Sequence, residues 1–231
     1  MFVSIIIPTL NEEKNIFKLY YSIEKKFTCK KYEIIYVDDN SSDNTRLRII
    51  DLKNKRKNIK YIFRKEQNLS TAFLDGVKIA KGKFVILMDA DLQHSPLDLN
   101  KLLYKISTNN LDIVIGSRFL ENSHNFSKTT KSIIRLILSK FFISILNNIF
   151  KLNTTDPLAG FFIAKKTSLK ITKKLYKKGF KILLDYLIVN NKKFKYTDIP
   201  ITVNKRMHGE SKLNLKIFLL FLNQCYFYFL K

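Results

Sequence analysis

Cysteine is almost missing from this chain. The two that occur, Cys29 and Cys225, stand far apart and can build neither a disulfide framework nor a cysteine zinc site, which points to a reducing compartment. Histidine is nearly as scarce. Of the 3 present, only His94 lies near a cluster of acids, where zinc would require more nitrogen or sulfur ligands. Acids are heavily outnumbered, with 19 Asp+Glu against 42 Lys+Arg and a net charge of +23. Such an excess suits a polyanion: nucleic acid, an anionic membrane face or a phosphorylated small molecule. Lysine on solvated positions produces the same balance, so charge alone decides nothing. No G-x-G-x-x-G follows the first strand-like run, and neither G-x-x-x-x-G-K-[ST] nor G-x-S-x-G occurs. A dinucleotide-dependent oxidoreductase, a P-loop NTPase and an α/β-hydrolase elbow are therefore unsupported. The opening Met-Phe-Val-Ser-Ile-Ile-Ile-Pro has no basic segment ahead of an apolar stretch and a small-residue cleavage site, so no signal peptide is expected.

What is present describes a folded α/β chain. Apolar residues make up 46% of the 231 and charged residues 26%, enough for a real core in one domain of the α/β size range. Strand-like runs at Val3–Pro8, Glu33–Val37, Ile59–Phe63, Phe84–Met88 and Asp112–Ile115 alternate with helical stretches near Glu12–Phe27, Thr45–Lys53, Thr71–Ala80 and Pro96–Ser107. Uninterrupted apolar strands such as Val-Ser-Ile-Ile-Ile predict a parallel sheet covered on both faces. The alternation predicts a doubly wound sheet whose ligands bind at the carboxyl ends of its strands. Ser95-Pro96-Leu97-Asp98 predicts a helix start, with serine as cap, proline in the first turn and Asp98 at the positive end of the dipole. Two later segments are unusually apolar. Lys131–Phe150 leaves most of a helical circumference to Ile, Leu and Phe, as a core helix or one lying in a bilayer interface would. Ile217–Leu230 is apolar apart from Asn223 and Gln224 and falls short of the roughly 20 residues a spanning helix needs.

The polar clusters fall at the strand ends. Asp89-Ala90-Asp91 follows a buried apolar strand, and two carboxylates one residue apart on a turning loop can face one divalent ion while leaving positions for phosphate oxygens. Gln93 could add a neutral oxygen, and His94 suits a capping or phosphate-facing role. Val37-Asp38-Asp39-Asn40-Ser41-Ser42-Asp43-Asn44-Thr45 ends the second strand. Ser41 to Thr45 read as a polar turn with a helix cap, whereas Asp39 could accept from a nucleobase N–H or a ribose hydroxyl. Pro8-Thr9-Leu10-Asn11-Glu12-Glu13 ends the first strand at the same edge, with Asn11 a candidate cap for the next helix.

In order along the chain stand Ile-Ile-Pro-Thr-Leu-Asn-Glu, Val-Asp-Asp-Asn-Ser-x-Asp-x-Thr, Met-Asp-Ala-Asp-Leu-Gln-His, Ile-Gly-Ser-Arg, Asp-Pro-Leu-Ala-Gly-Phe-Phe, Lys-Ile-Leu-Leu-Asp and Arg206-Met-His-Gly-Glu-Ser-Lys212. Together, from about Val3 to Leu222, they resemble family 2 glycosyltransferases of the GT-A fold, and most closely the dolichol-phosphate (polyprenol-phosphate) mannose synthase branch. The resemblance implies a Rossmann-like, doubly wound, mostly parallel sheet with appended amphipathic interfacial helices. It implies that Pro8, Leu10, Glu12, Val37 and Asp39 hold the donor nucleotide, typically GDP-mannose. Asp89, Ala90, Asp91 and Gln93 match the metal and diphosphate loop, with Asp89, Asp91 and Gln93 as ligands of Mg²⁺ or Mn²⁺. Arg118, Lys181, Arg206 and Lys212 match basic positions for donor or lipid phosphate, chemistry that an Arg fork and lysines suit. Asp91, Arg118 and Arg206 are thereby the candidate catalytic residues, and Gly209 would let its loop approach closely. The chain departs from the family pattern at Leu10, where Tyr is common, at His94-Ser95-Pro96-Leu97, at Ala159 and at Asp185, where glutamate is common.

The expected protein is one domain over 1–231, with a nucleotide- and metal-binding half to about residue 118 and an acceptor-binding half beyond it. The expected reaction moves a hexose, mannose first, to a polyprenyl phosphate with inversion, at the cytoplasmic face of a membrane. A UDP-sugar donor for undecaprenyl phosphate is the alternative within the fold. A nucleic-acid-binding protein is the alternative from another class, opposed by acidic loops and the lack of any nucleic-acid motif.

Overall fold

The computed structural model describes residues 1–121, 123–125, 130–204 and 215–230, with side chains for 1–121, 123, 139–204 and 219–230. Arg206, Gly209 and Lys212 lie outside the described residues. The first half alternates strand and helix: β1 (Val3–Thr9), α1 (Ile16–Lys26), β2 (Tyr32–Asp38), α2 (Thr45–Lys55), β3 (Ile59–Phe63), α3 (Leu69–Ile79), β4 (Phe84–Leu87), α4 (Pro96–Thr108) and β5 (Ile113–Ser117). Then follow β6 (His124–Asn125), α5 (Thr130–Phe150), β7 (Phe162–Lys165), α6 (Ile182–Val189), β8 (Tyr196–Pro200), β9 (Thr202–Val203) and α7 (Leu215–Phe229). Seven strands form one sheet in the order β3-β2-β1-β4-β7-β5-β8, and β6 pairs with β9. The sheet is parallel except at β7, which runs antiparallel to both β4 and β5.

Alternation along the strands feeds two cores. Ile5 and Ile7 of β1 pack with Ile16, Leu19 and Ile23 of α1 and Leu99 and Leu102 of α4, while Ile6 turns to Ala72 and Phe73 of α3 and Leu183 of α6 on the other face. Burying both faces of a central strand is what its unbroken Ile run encodes. Because β7 runs backwards, its first residues meet the carboxyl ends of β4 and β5. Leu87 of β4 and Ile115 of β5 both pair with Phe162. The loops that carry chemistry therefore gather at one edge of the sheet.

Two helix starts differ in detail from expectation. Ser95 stands at the N-cap of α4 with Pro96 behind it, but its side chain makes no capping hydrogen bond. Asp98 is buried and accepts from the Thr202 N–H at 2.8 Å, tying α4 to β9. Asn11 does not cap α1, whose N-cap is Asn15. Its side chain instead accepts from the Ser42 N–H at 2.8 Å, linking the β1 and β2 loops.

The two apolar segments are both helices seated by one face. In α5, Ile143 and Leu146 are buried while Phe141, Ile145 and Ile149 are exposed at four-residue spacing, a single stripe. In α7, Phe221, Gln224 and Tyr228 are buried while Leu219, Leu222, Tyr226 and Phe229 are exposed. No helix among the described residues is long and apolar enough to cross a membrane.

Candidate active site

The first two loops are laced together by short polar contacts. Glu12 N–H donates to Thr45 Oγ1 at 2.8 Å, and Asn11 N–H donates to Ser41 Oγ at 2.8 Å. Buried Asp38 accepts from Thr9 and Ser41 and pairs with Arg46 at 2.6 Å. Asn11 and Asn40 both adopt positive φ, 55° and 64°, a region asparagine tolerates better than other L-residues. Asp39 pairs with Arg64 at 2.6 Å and accepts from the Asn68 N–H at 2.8 Å. Burial raises its carboxyl, and Arg64 and the Asn68 amide draw it only part of the way back. Pro8, Leu10 and Glu12 are half-buried at this rim. Val37 is fully buried in the core, so its side chain is packing and only its backbone reaches the strand end.

After β4 the chain turns sharply through Asp89-Ala90-Asp91-Leu92. Leu92 has φ 62° without a glycine's freedom, a conformation that costs about 1–2 kcal/mol. The two carboxylates differ in exposure. Asp89 lines a cavity with its side chain 40% exposed, whereas Asp91 is buried and its Oδ1 accepts the Gln93 N–H at 3.1 Å. Gln93 also lines the cavity, and its Nε2 donates to the Asn204 carbonyl at 3.3 Å. His94 stacks on Phe161 at 4.7 Å and places Nε2 3.6 Å from Asp89 Oδ2, an ion pair when the imidazole is protonated. Gly160 makes room for that carboxylate, because a Cβ there would stand 3.0 Å from Asp89 Oδ2.

Two cations face Asp89 across the cavity, which encloses about 160 Å³. Arg118, just past β5, is gripped by buried Asp156 through Nε at 2.8 Å and Nη2 at 3.0 Å, and its own N–H reaches the same carboxylate at 3.3 Å. Lys181, at the N-cap of α6, donates to the Leu158 carbonyl at 2.8 Å. Crowding by protein works against the charge on Asp89, yet His94, Lys181 and Arg118 together hold its carboxyl below the ordinary range. Burial and neighbouring Arg118 bring Lys181 down to about 8, with Asp156 and Asp89 opposing the drop.

The structure thus gathers Asp89, Gln93, Arg118 and Lys181 around one cavity, with Asp91 buried in the same loop and Asp39 at the neighbouring strand end. Asp156 and Gly160 belong to this site although neither was singled out from sequence. Their signal lay in the Asp-Pro-Leu-Ala-Gly motif, which carries no chemistry legible without its partners. Hard oxygens from two carboxylates and a carboxamide suit Mg²⁺ or Mn²⁺, which is bound through one or two carboxylates plus substrate phosphates. Among the described residues no cluster of three His, Cys, Asp or Glu could cage a metal. The donor set fits an ion completed by its substrate.

The family model for Glycosyl transferase family 2 matches residues 4–172. The chain belongs to that family. It is 36% identical to the dolichol-phosphate mannosyltransferase of Pyrococcus furiosus, over 98% of this chain and 63% of the archaeal protein. It therefore spans less than two thirds of that relative. It is 29% identical to the dolichol-phosphate mannosyltransferase of Saccharomyces cerevisiae, over 96% of this chain and 84% of the yeast protein. The fold matches the crystal structure of glucosyl-3-phosphoglycerate synthase from Mycobacterium tuberculosis in complex with Mg²⁺ and uridine diphosphate, with a TM-score of 0.70 at 18% identity over 97% of this chain and 79% of that one. At that identity the likeness establishes the GT-A-like architecture alone.

Proposed function

We propose that this chain transfers mannose from GDP-mannose to a polyprenyl phosphate, with inversion at the anomeric carbon. The observation that carries the reading is its 36% identity, over nearly its whole length, to a dolichol-phosphate mannosyltransferase. The cavity supports it: one carboxylate faces an Arg and a Lys at the carboxyl edge of a doubly wound sheet, where such folds bind ligands.

The acceptor phosphate is an anion near neutral pH, so its attack needs no strong base. A phosphate oxygen forms the bond to the anomeric carbon as the bond to the diphosphate oxygen breaks, and the electron pair leaves with the nucleoside diphosphate. The chain's work is alignment, charge neutralisation and exclusion of water. Arg118, held by Asp156, presents its guanidinium to diphosphate oxygens, and Lys181 adds a second positive charge in the same cavity. Asp89, Asp91 and the Gln93 carboxamide would hold Mg²⁺ or Mn²⁺. When bound, such an ion supplies further positive charge opposite the diphosphate. In this reading Pro8, Leu10, Glu12, Val37 and Asp39 form the nucleotide rim, and Arg206 and Lys212 complete the anion-binding set.

A prenyl tail stays in the bilayer, so the acceptor requires the protein to sit at a membrane surface. The exposed apolar stripes of α5 and α7, on helices without a single acidic residue, suit that placement, and the basic excess suits an anionic cytoplasmic leaflet. The test is the product. Phosphorus and proton NMR of the extracted lipid should give a phosphodiester whose sugar has the anomeric configuration opposite to the donor. Retained configuration, or mannose on any other acceptor group, would overturn the reading.

A further inference from the structure

Away from the cavity, a buried polar contact joins the last helix to the segment that carries Lys181. Gln224 of α7 is fully buried, and its Nε2 donates to two acceptors: Asp185 Oδ1 at 2.6 Å and the Lys181 backbone carbonyl at 3.1 Å. Asp185 lies in the first turn of α6 and is itself fully buried. The helical bond that would otherwise hold the Lys181 carbonyl is long, with Asp185 N–H at 3.5 Å. The segment just before Lys181 is shaped around the same amide: a Cβ on Gly179 would stand 2.4 Å from Gln224 Oε1. One turn on, the Tyr228 hydroxyl accepts from the Tyr176 N–H at 2.9 Å. The stretch 176–181 is thus bonded to α7 at two points, Tyr176 and Lys181, with Gly179 in close approach between them, and Lys181 is among the residues by which it lines the cavity.

We propose that Gln224 is a positioning residue for glycosyl transfer: its amide fixes the Lys181 backbone and the first turn of α6, so that docking of α7 is what holds the Lys181 ammonium in the donor-phosphate site. A packing contact alone would be met by an apolar residue on a helix already rich in Leu and Phe. Burying an amide there costs free energy that the two Nε2 hydrogen bonds offset, which makes the contact selective for one seating of the helix. The inference rests on the reading that Lys181 serves the donor diphosphate, and its consequence is a coupling between an exposed apolar helix and the chemistry more than one element away.

The first measurement needs no substrate. Acylation of Lys181 by N-hydroxysuccinimidyl acetate is followed by peptide mass spectrometry against pH in the full chain. The wild-type amine should become reactive around pH 8, and in Gln224→Leu its profile should move toward that of an ordinary lysine, with at least about tenfold slower acylation at pH 8. Gly179→Ala, which pushes the amide aside without removing it, should move it the same way. Phe221→Ala is the control, since it loosens the buried face of the same helix while keeping the Gln224 hydrogen bonds. An unchanged Lys181 profile in Gln224→Leu, or an equal change in Phe221→Ala, would overturn the proposal.

The second measurement is transfer kinetics in a double-mutant cycle. Gln224→Leu should cut kcat/KM for the donor about tenfold in the wild-type background and leave it within about twofold in Lys181→Ala. An equal loss in both backgrounds means that Gln224 acts elsewhere. Gln224→Glu adds a signature. Two carboxylates then face each other, surrounded among the described residues by Cys225 and Tyr228 of α7, Tyr186 of α6 and the Lys177 backbone, none of them a cation. Its activity relative to wild type should rise as pH falls and one shared proton restores the donor. A ratio flat with pH would count against the proposal. If the wild-type chain transfers no sugar while the acylation profiles behave as described, the positional coupling stands and the reading of the reaction falls.

Discussion

Replacing Asp156 by Asn should disable transfer while leaving the chain folded. Asp156 is fully buried and does not line the cavity, yet it holds both arms of the Arg118 fork at 2.8 and 3.0 Å. Asparagine keeps the shape but can accept only through one atom, and its amide hydrogens meet guanidinium hydrogens. Charge-assisted hydrogen bonds contribute about 1.5–3 kcal/mol each. The Arg118 side chain is 38% exposed, so water recovers part of that, and we take about 2–3 kcal/mol for the lost orientation. At about 1.4 kcal/mol per decade this is about 30- to 150-fold in kcat/KM. Asp156 also helps keep Lys181 protonated, so its removal lowers that group further below about 8 and moves the alkaline decline of the rate to lower pH. The assay is donor-dependent transfer across pH 6–9 with thermal denaturation as a folding control. Wild-type kcat/KM within twofold, with an unmoved alkaline limb, would refute the argument that Asp156 works through Arg118 and Lys181.

Other outcomes follow from the same geometry. Asp89→Asn and Asp91→Asn should each abolish transfer with the circular dichroism unchanged, and the wild-type chain should stop in EDTA and resume with Mg²⁺ or Mn²⁺; full activity in EDTA would sink the metal assignment. Asp185→Asn should stabilise the fold at high pH. Burial raises that carboxyl from 3.8 to about 6, with the Gln224 amide drawing it back only in part, so the native state binds more protons than the unfolded chain between about pH 4 and 6. The cost of burying the charge is absent below that window and complete above it, about 3 kcal/mol, so the gain in Tm seen at pH 8 should vanish near pH 4. Phe141, Ile145 and Ile149 changed together to Ser should release the protein from anionic liposomes while transfer to a short water-soluble prenyl phosphate continues; undiminished liposome binding would place the anchor elsewhere.

The first half of the fold was legible because its signals are local and repeated. Most strands there are short apolar runs rich in Ile and Val and ended by a polar cluster, and Ile5, Ile6 and Ile7 declare burial on both faces without any partner being known. The second half was not. Strand β7 is four residues long and is a strand only because β4 and β5 flank it, and α6 is eight residues of almost uniform hydrophobicity with no periodicity to read. The site divided in the same way. Asp89 and Arg118 follow strands and could be placed at an edge from sequence, whereas Asp156 and Gly160 acquire meaning only when β7 turns back beside β4. Asp91 was expected beside Asp89 on the metal; it is buried and its Oδ1 takes the Gln93 N–H, a contact that the spacing alone does not announce. Asp39 was expected to meet the nucleotide, and its tight pairing with Arg64, 25 residues away, has no sequence signal. The segment Lys131–Phe150 announced its apolarity but not which face would be covered: Phe142 is half-buried and the exposed line runs through Phe141, Ile145 and Ile149.

The most direct measurement is transfer itself: purified protein, Mg²⁺, a polyprenyl phosphate in detergent, and GDP-mannose, UDP-glucose and other nucleotide sugars labelled in the hexose, scored for label entering the organic phase. The account predicts label from GDP-mannose, dependent on the lipid phosphate and lost in Lys181→Ala and Asp89→Asn. Label from UDP-glucose alone would move the donor assignment to a UDP-sugar, and label from none of them, with nucleotide binding intact, would contradict transfer to a polyprenyl phosphate.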